Sequence, residues 1–189
     1  MRTMAVRHFG ALKNAIRSLE QCYSENLPNT ETPPGPRLEF PYPLSYTCNN
    51  TSLTWHFTYI SQMDNSKLLF AAETADNETI CIKFVHHYSK DIHAFCASKG
   101  FAPILKGLKE LPGGWWMIVM DMIGDDYCHL SDFPPPYAHY QDVIEKVTSL
   151  HQANYVHGEV RSTNIMVRKD GALGFKLVDF DWSGEIGQA

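Results

Sequence analysis

The chain has 189 residues, of which 44% are hydrophobic and 20% charged, and it carries a formal net charge of −5. This composition is typical of a globular protein with one sizeable core and excludes a mainly disordered chain. The acidic balance gives no electrostatic basis for binding nucleic acid or a membrane surface, and no apolar run is long enough to span a bilayer. Because the N-terminus lacks the apolar stretch of a secretory signal, we expect an intracellular protein, cytoplasmic or nuclear.

An amphipathic helix is predicted first, within residues 1–27. Apolar side chains recur there at three- and four-residue steps from Val6 to Tyr23. We expect this apolar stripe to dock onto the main domain, with a partner-binding helix as the alternative. Residues 28–50 follow as a proline-rich strap, since six of the eleven prolines lie between Pro28 and Pro43.

Short strands dominate residues 51–123. Their aliphatic, aromatic and threonine residues predict five strands, and Pro112-Gly113-Gly114 predicts a hairpin between the last two. One helix, Lys90–Ala97, is predicted after the third strand, with Ser89 as its N-cap and Lys99-Gly100 at its end. The five predicted strands are Leu53–Ile60, Lys67–Glu73, Thr79–Val85, Ile104–Leu111 and Trp115–Ile123.

A helix leads residues 124–189. Apolar residues recur at helical spacing within residues 136–154. A loop at 156–164 and two short strands follow, Ile165–Val167 and Phe175–Val178. This order of elements predicts an α+β fold with a strand-rich lobe, a hinge and a helix-led lobe.

Polar side chains flank the second pair of strands. Glu159 and Asn164 lie in the loop before it, and Asp179 follows it. Because Mg²⁺ prefers a few protein oxygens together with substrate phosphates, Asn164 and Asp179 are candidate metal ligands. The carboxylate of Glu159 is placed to meet an incoming hydroxyl group. The pattern favours phosphoryl transfer, which needs metal ions on the phosphates and a group that positions or deprotonates the nucleophile.

Residues 157–164, His-Gly-Glu-Val-Arg-Ser-Thr-Asn, resemble the protein-kinase catalytic loop H-R-D-x-x-x-x-N. The H-G form of this loop is seen in kinase-like and aminoglycoside-phosphotransferase-like proteins. Asp179-Phe180-Asp181 is similar to the D-F-G turn, with aspartate in place of glycine. The resemblance to the protein-kinase-like superfamily, and to its fungal-type group in particular, spans residues 50–184. It implies an antiparallel five-stranded N-lobe with one αC-type helix, followed by an incomplete helical C-lobe.

The same resemblance implies a site for ATP and Mg²⁺ between the lobes. Lys83, on the third strand, would grip the phosphates, and Asp91 would replace the helical glutamate that pairs with this lysine. Met120 would be the gatekeeper residue. The backbone C=O of Asp121 and the backbone N–H of Ile123 would contact adenine.

In the catalytic loop, the resemblance implies Glu159 as the base, with Asn164 and Asp179 on the metal. Arg161 could approach the transferred phosphate, as the loop lysine does in many kinases, or pair structurally with a carboxylate. We expect His157 to be structural and to bond to the backbone near Asp179.

Three departures from the family pattern predict an impaired enzyme. No glycine occurs between Gly35 and Gly100, so the glycine-rich loop that covers the phosphates is missing. Glu159 replaces aspartate; its extra methylene moves the carboxylate by about 1.5 Å, and a misplacement of about 1 Å can cost ~10²-fold in rate. The sequence also stops at Ala189 without an A-P-E motif or helical base. We therefore expect either a C-terminally truncated fragment of a longer kinase or completion by a protein partner.

Three functions stay open at this point. The first is transfer of the γ-phosphate of ATP to a protein Ser/Thr hydroxyl, which the family favours. The second is a pseudokinase that serves as a nucleotide-binding or protein-interaction scaffold. The third is a small-molecule kinase of the aminoglycoside or choline kinase type, to which the dipeptide His157-Gly158 points. Expected partners are ATP and a substrate or completing protein, with neither nucleic acid nor a membrane.

Overall fold

The computed structural model describes residues 13–14, 16–18, 20, 40–49, 51–132 and 137–188. The chain divides into two compact units, residues 1–42 and residues 43–189. In the first unit, the described residues between 13 and 20 are helical and exposed. The rest of the predicted N-terminal helix, and the proline-rich strap before residue 40, lie outside the described residues.

A six-stranded antiparallel sheet forms the first half of the second unit. Its strands are β1 Ser45–Thr47, β2 Thr54–Asp64, β3 Leu69–Thr74, β4 Thr79–Val85, β5 Leu105–Leu111 and β6 Trp115–Asp121. They lie side by side in the order β1-β2-β3-β4-β6-β5. The sheet has one strand more than the five predicted, because β1, with only three residues, is too short to show an alternating pattern.

The two edge strands of this sheet approach each other. The backbone N–H of Asn49 donates to the carbonyl of Lys106 over 2.8 Å, and its side-chain amide donates to the carbonyl of Leu105 over 3.2 Å. A Cβ at Gly107 would lie 2.5 Å from the ring of Tyr46. Glycine at this position therefore lets the sheet curl towards a closed barrel, and we call this contact between β1 and β5 the seam.

Helix α1, Lys90–Ser98, follows β4 and agrees with the predicted helix to within one residue. Ser89 is its N-cap, although the hydroxyl makes no capping hydrogen bond. The helix buries Ile92, His93 and Cys96. This spacing of three and four residues places the three side chains on one face.

Helix α2, Tyr137–Gln152, and short strands form the second half. These strands are β7 Tyr127–His129, β8 Tyr155–Val156, β9 Ile165–Arg168, β10 Phe175–Leu177 and β11 Gly184–Glu185. They make one three-stranded sheet, β10-β9-β7, and one pair, β11-β8. The helix and the strands β9 and β10 were predicted from the sequence, whereas β7, β8 and β11 were not.

One cluster of buried side chains joins α1, α2 and the β9–β10 hairpin. Leu150, Val167 and Leu177 are completely buried in it, together with Cys96 of α1. Full burial of an aliphatic side chain stabilises a fold by about 1.5–3 kcal/mol. The cluster therefore fixes α1 and the hairpin relative to each other. The architecture is a mixed one, with a mainly antiparallel sheet and few helices, as the sequence predicted. Within the described part of the chain, no helix has both the length and the apolar character needed to cross a membrane.

Candidate functional site

A cavity of about 640 Å³ lies between the six-stranded sheet and the β9–β10 hairpin. Its size falls within the range of about 300–1,000 Å³ that is usual for small-molecule sites. Six of the residues predicted for an ATP site line it, and they come from four separate segments of the chain. These residues are Lys83, Met120, Asp121, Ile123, Asn164 and Asp179.

Lys83 is the centre of an ion cluster at one end of the cavity. Its Nζ atom lies 2.5 Å from Oδ1 of Asp179 and 2.5 Å from Oδ1 of Asp181. The lysine side chain is only 9% exposed, because β4 is a central strand that is covered on both faces. A buried lysine needs opposite charges close by, and the two aspartates provide them.

Asp179 forms ion pairs with two lysines and has a left-handed backbone conformation. Its Oδ2 atom lies 2.8 Å from Nζ of Lys67, in the turn between β2 and β3, and its φ of 73° is left-handed. Burial acts to raise the pKa of Asp179, but the charge of Lys83 and the hydrogen bonds from both lysines hold it well below its usual value. Burial raises the pKa of Asp181 to about 6, against the opposing charge of Lys83. Asp179 is therefore the more acidic member of the pair.

His157 fixes the backbone that leads into Asp179. Its Nε2 atom lies 3.1 Å from the carbonyl of Val178, and the backbone N–H of Glu159 donates to Nδ1 over 3.4 Å. These partners assign a neutral ring that donates from Nε2. Burial lowers the pKa of His157, in agreement with that assignment. The histidine is thus a structural member of the loop, as predicted.

Asn164 and Glu159 are bonded to each other. The Nδ2 atom of Asn164 donates to the backbone carbonyl of Glu159 over 3.1 Å and to its Oε2 atom over 3.3 Å. The amide oxygen of Asn164 is then the atom that could hold a cation, together with the carboxylate of Asp179. Oε2 of Glu159 also lies 3.2 Å from a guanidinium nitrogen of Arg161, whose side chain is 58% exposed. The sequence left two alternatives for Arg161, and the structure shows the one in which it pairs with a carboxylate.

Gly158 brings the segment after Asp181 onto the loop of residues 157–164. Its φ is +83°, and a Cβ at this position would lie 2.2 Å from the backbone oxygen of Trp182. The hydroxyl of Ser183 donates to the carbonyl of His157 over 2.9 Å. The glycine in this H-G loop is therefore required by a close backbone contact.

The predicted pair of Asp91 and Lys83 is not formed. Asp91 is exposed on α1, and the ion pairs of Lys83 within the described residues are those with Asp179 and Asp181. Among the inward residues of α1, His93 stacks its ring on Phe180, with centroids 4.5 Å apart. Because residues two apart in a helix point in nearly opposite directions, His93 facing inward turns Asp91 to the solvent.

Lys67 and Asp181 are site residues that were not predicted. Asp181 stands where the D-F-G pattern has glycine, and this substitution is the signal that could have identified it. Lys67 lies in a turn without any motif, and its contact with Asp179 spans 112 positions of the sequence. No local pattern could have revealed that pairing. Among the described residues, no group of three or more His, Cys, Asp or Glu forms a metal cluster.

No known family matches this sequence, and no curated protein does. Among solved structures, the chain is similar to the PK-1 kinase of Cydia pomonella granulovirus, with a TM-score of 0.58 and 18% sequence identity. The match covers 69% of this chain and 53% of the viral protein, so the chain spans about half the length of that kinase. At this identity the similarity shows the fold alone. It confirms a kinase-like fold.

Proposed function

We propose that this chain is a kinase-like domain that binds ATP with Mg²⁺ in the cavity between the sheet and the hairpin. One observation carries the proposal: Lys83, Asn164 and Asp179 come from three separate segments and line the same cavity. A lysine, an amide oxygen and a carboxylate are the groups needed to hold phosphates and their metal ion. The kinase-like fold supports this use of the cavity.

Adenine would occupy the end of the cavity near the β6 terminus. Leu69, Met120 and Met166 give the cavity apolar walls. Beyond the last residue of β6, Asp121, residues 122 and 123 also line the cavity, and each carries a backbone N–H and a backbone C=O. Such backbone groups can donate and accept hydrogen bonds at the edge of a purine ring.

The phosphates would lie at the opposite end, beside Lys83. The amide oxygen of Asn164 and the carboxylate of Asp179 would hold Mg²⁺, which supplies charge neutralisation to the phosphate oxygens. The lysine must then exchange part of its contact with Asp179 for a phosphate oxygen. Asp181 would keep the ammonium group oriented during this exchange, because it bonds to Lys83 independently of Asp179.

Phosphoryl transfer to a protein hydroxyl is the proposed activity. The hydroxyl oxygen would bond to the γ-phosphorus, the bond from that phosphorus to its bridging oxygen would break, and ADP would leave. The hydroxyl proton would pass to the carboxylate of Glu159. We expect slow turnover, because one oxygen of this carboxylate is already bonded to Asn164 and Arg161.

Nucleotide binding without transfer is the second candidate function, that of a pseudokinase scaffold. The position of Glu159 favours it: this residue is not among the described residues that line the cavity. A carboxylate held away from the phosphates cannot accept a proton from a nucleophile beside them. Both candidates share the ATP site and differ only in the transfer step.

Isothermal titration calorimetry with ATP, in the presence and absence of Mg²⁺, tests the proposed site. We expect saturable binding that Mg²⁺ strengthens, and we expect Asp179→Asn to remove the Mg²⁺ effect while binding of adenosine persists. Asp170→Asn is the matched control, because Asp170 is an exposed turn residue paired with Arg168 outside the cavity. A flat titration up to millimolar ATP with Mg²⁺ would refute nucleotide binding.

A further inference from the structure

Lys67 is a second lysine at the end of the cavity where the phosphates would lie. It belongs to the turn between β2 and β3, and it lines the cavity together with Met63, Asp64 and Asn65. Its Nζ atom lies 2.8 Å from Oδ2 of Asp179, while Lys83 bonds to the other oxygen of the same carboxylate. The ammonium group therefore already reaches the proposed metal ligand.

The turn that carries Lys67 has no glycine, and its own hydrogen bonds shape it. Oδ1 of Asp64 accepts from the backbone N–H and the hydroxyl of Ser66, over 2.8 and 2.7 Å. The amide of Gln62 donates to the carbonyls of Asp64 and Lys67, both over 3.0 Å. These contacts set the position of the Lys67 backbone, so that only its side chain has to move.

A turn lined by side chains cannot close its backbone amides on phosphates as a glycine-rich loop does. A lysine can supply the missing contact from a greater distance, because its ammonium offers three donors on a flexible four-carbon stem. Lys67 is 44% exposed, whereas Lys83 is 9% exposed. An ion pair of such an exposed lysine adds little to folding, and Asp179 already has Lys83 as a partner.

We propose that Lys67 is a phosphate-binding residue that contacts the β- and γ-phosphates of a nucleoside triphosphate from the side opposite Lys83. It takes the place of the backbone donors of a glycine-rich loop. The inference rests on the nucleotide-binding function proposed above. When Asp179 turns to a metal ion, Lys67 loses its carboxylate partner, and its ammonium swings to the phosphate oxygens without any backbone movement.

The test compares the nucleotide affinities of Lys67→Gln, Lys67→Arg and the matched control Lys109→Gln. Lys109 is an exposed lysine of β5 outside the cavity lining, so its replacement changes the net charge equally. Calorimetry measures the dissociation constants of ATP and adenosine in the presence of Mg²⁺, after thermal unfolding has shown equal midpoints for all variants.

We expect Lys67→Gln to weaken ATP binding on the order of tenfold, the effect of one lost charged hydrogen bond, and to leave adenosine binding unchanged. Lys67→Arg should keep most of the affinity for ATP.

Each other outcome has a distinct meaning. Equal ATP affinity in Lys67→Gln and Lys109→Gln overturns the role of Lys67 while the proposed ATP site stands. An equal loss for ATP and adenosine also overturns it, because the residue would then act on the purine end or on the fold. Failure of the unchanged protein to bind ATP overturns this inference together with the proposed function.

Discussion

At Gly158, the backbone of the neighbouring segment leaves no space for a side chain. We expect Gly158→Ala to lower the free energy of unfolding by about 3 kcal/mol, because it combines a left-handed φ with a clash against the backbone of Trp182. Urea denaturation followed by tryptophan fluorescence measures the loss.

Gly171→Ala is the matched control for this substitution. Gly171 has a φ of +77°, but nothing lies within 4 Å of a Cβ at that position. Only the conformational cost of about 1–2 kcal/mol should appear there. Equal losses in the two variants would show that the contact with Trp182 imposes no additional penalty.

Glu159 is the residue whose length limits the proposed transfer. Glu159→Asp should raise the rate of phosphate transfer from ATP about 10-fold or more, because the shorter side chain withdraws from Arg161 and has the length of the aspartate in the H-R-D loop of protein kinases. Transfer of radiolabelled γ-phosphate to a generic protein substrate measures the rate. Glu159→Gln, which keeps the length and removes the charge, serves as control and should show none. Background rates in all three forms would leave the pseudokinase function as the better proposal.

The motif residues of the site were predictable, and the ion cluster was not. Asn164 and Asp179 stand at fixed positions around a loop and a hairpin, so local sequence is enough to place them together. The partners of Lys83 depend instead on which face of α1 points inward. That choice is made by His93 packing on Phe180, a contact between residues far apart in the sequence. Asp91 was predicted as the partner of Lys83, whereas the observed partners are Asp179 and Asp181.

Among the elements, length decided most of what could be predicted; the three-residue β10 is the exception, because the turn at Asp170-Gly171 marks the hairpin that it forms with β9. The strands β2 to β6 have six to eleven residues each, enough for side-chain alternation and bounding turns to be visible. The strands β1, β7, β8 and β11 have two or three residues and exist because other strands lie beside them. Their sequences carry no periodic signal of their own.

Helix α2 offers a direct test of the shared core. Leu150 is completely buried in the cluster that joins α1, α2 and the β9–β10 hairpin. Leu150→Ala should lower the free energy of unfolding by about 2–5 kcal/mol, as truncations in a close-packed core do. Ile144→Ala on the same helix is the control, since Ile144 is 56% exposed and its truncation should change stability by less than about 0.5 kcal/mol. Similar losses at the two positions, read from chemical denaturation, would contradict the packing described above.

For the whole molecule, buried His93 makes stability depend on pH. Its Nε2 atom lies 2.8 Å from the carbonyl of Pro103, and the hydroxyl of Tyr88 bonds to Nδ1, so the folded protein holds the neutral ring. Burial lowers the pKa of His93 from 6.5 to about 4. The unfolded chain therefore takes up a proton as the pH falls below 6.5, whereas the folded protein does so only near pH 4. The contribution of His93 to the free energy of unfolding is therefore fully present above pH 6.5. It is lost as the pH falls from 6.5 to about 4, and the loss is about 2 kcal/mol at pH 5.

Because other groups titrate in the same pH range, the contribution of His93 has to be measured as a difference between two proteins. The raised pKa of Asp181 acts in the opposite direction, and the lowered pKa of His157 acts in the same direction as that of His93. Urea denaturation of the unchanged protein and of His93→Gln, at pH 7.5 and pH 5, isolates the contribution of His93. We expect the variant to lose less stability on acidification. An identical loss in both proteins would show that His93 is protonated in the folded state.

The general kinase-like fold was predictable because a strand-rich half, one helix and a motif-bearing hairpin follow one another in a single order. The curvature of the sheet was not predictable, since it depends on Gly107 meeting Tyr46 across 61 positions of the sequence. A lone glycine in a strand is compatible with a bulge, a bend or a close approach. At Gly107 the structure shows two of these features together, a register shift after Leu105 in the pairing with β6 and the close approach of the Tyr46 ring.

The seam also decides where this protein can be shortened. A chain that begins at residue 51, the predicted start of the strand-rich lobe, would lose β1 and the bonds from Asn49 to β5. The backbone N–H and C=O groups at the outer edges of β2 and β5 would then be exposed to solvent, and Tyr46 would no longer cover Gly107. Unprotected strand edges pair with other copies, so such a fragment should aggregate. A fragment that begins at residue 43 keeps the seam and should remain dispersed.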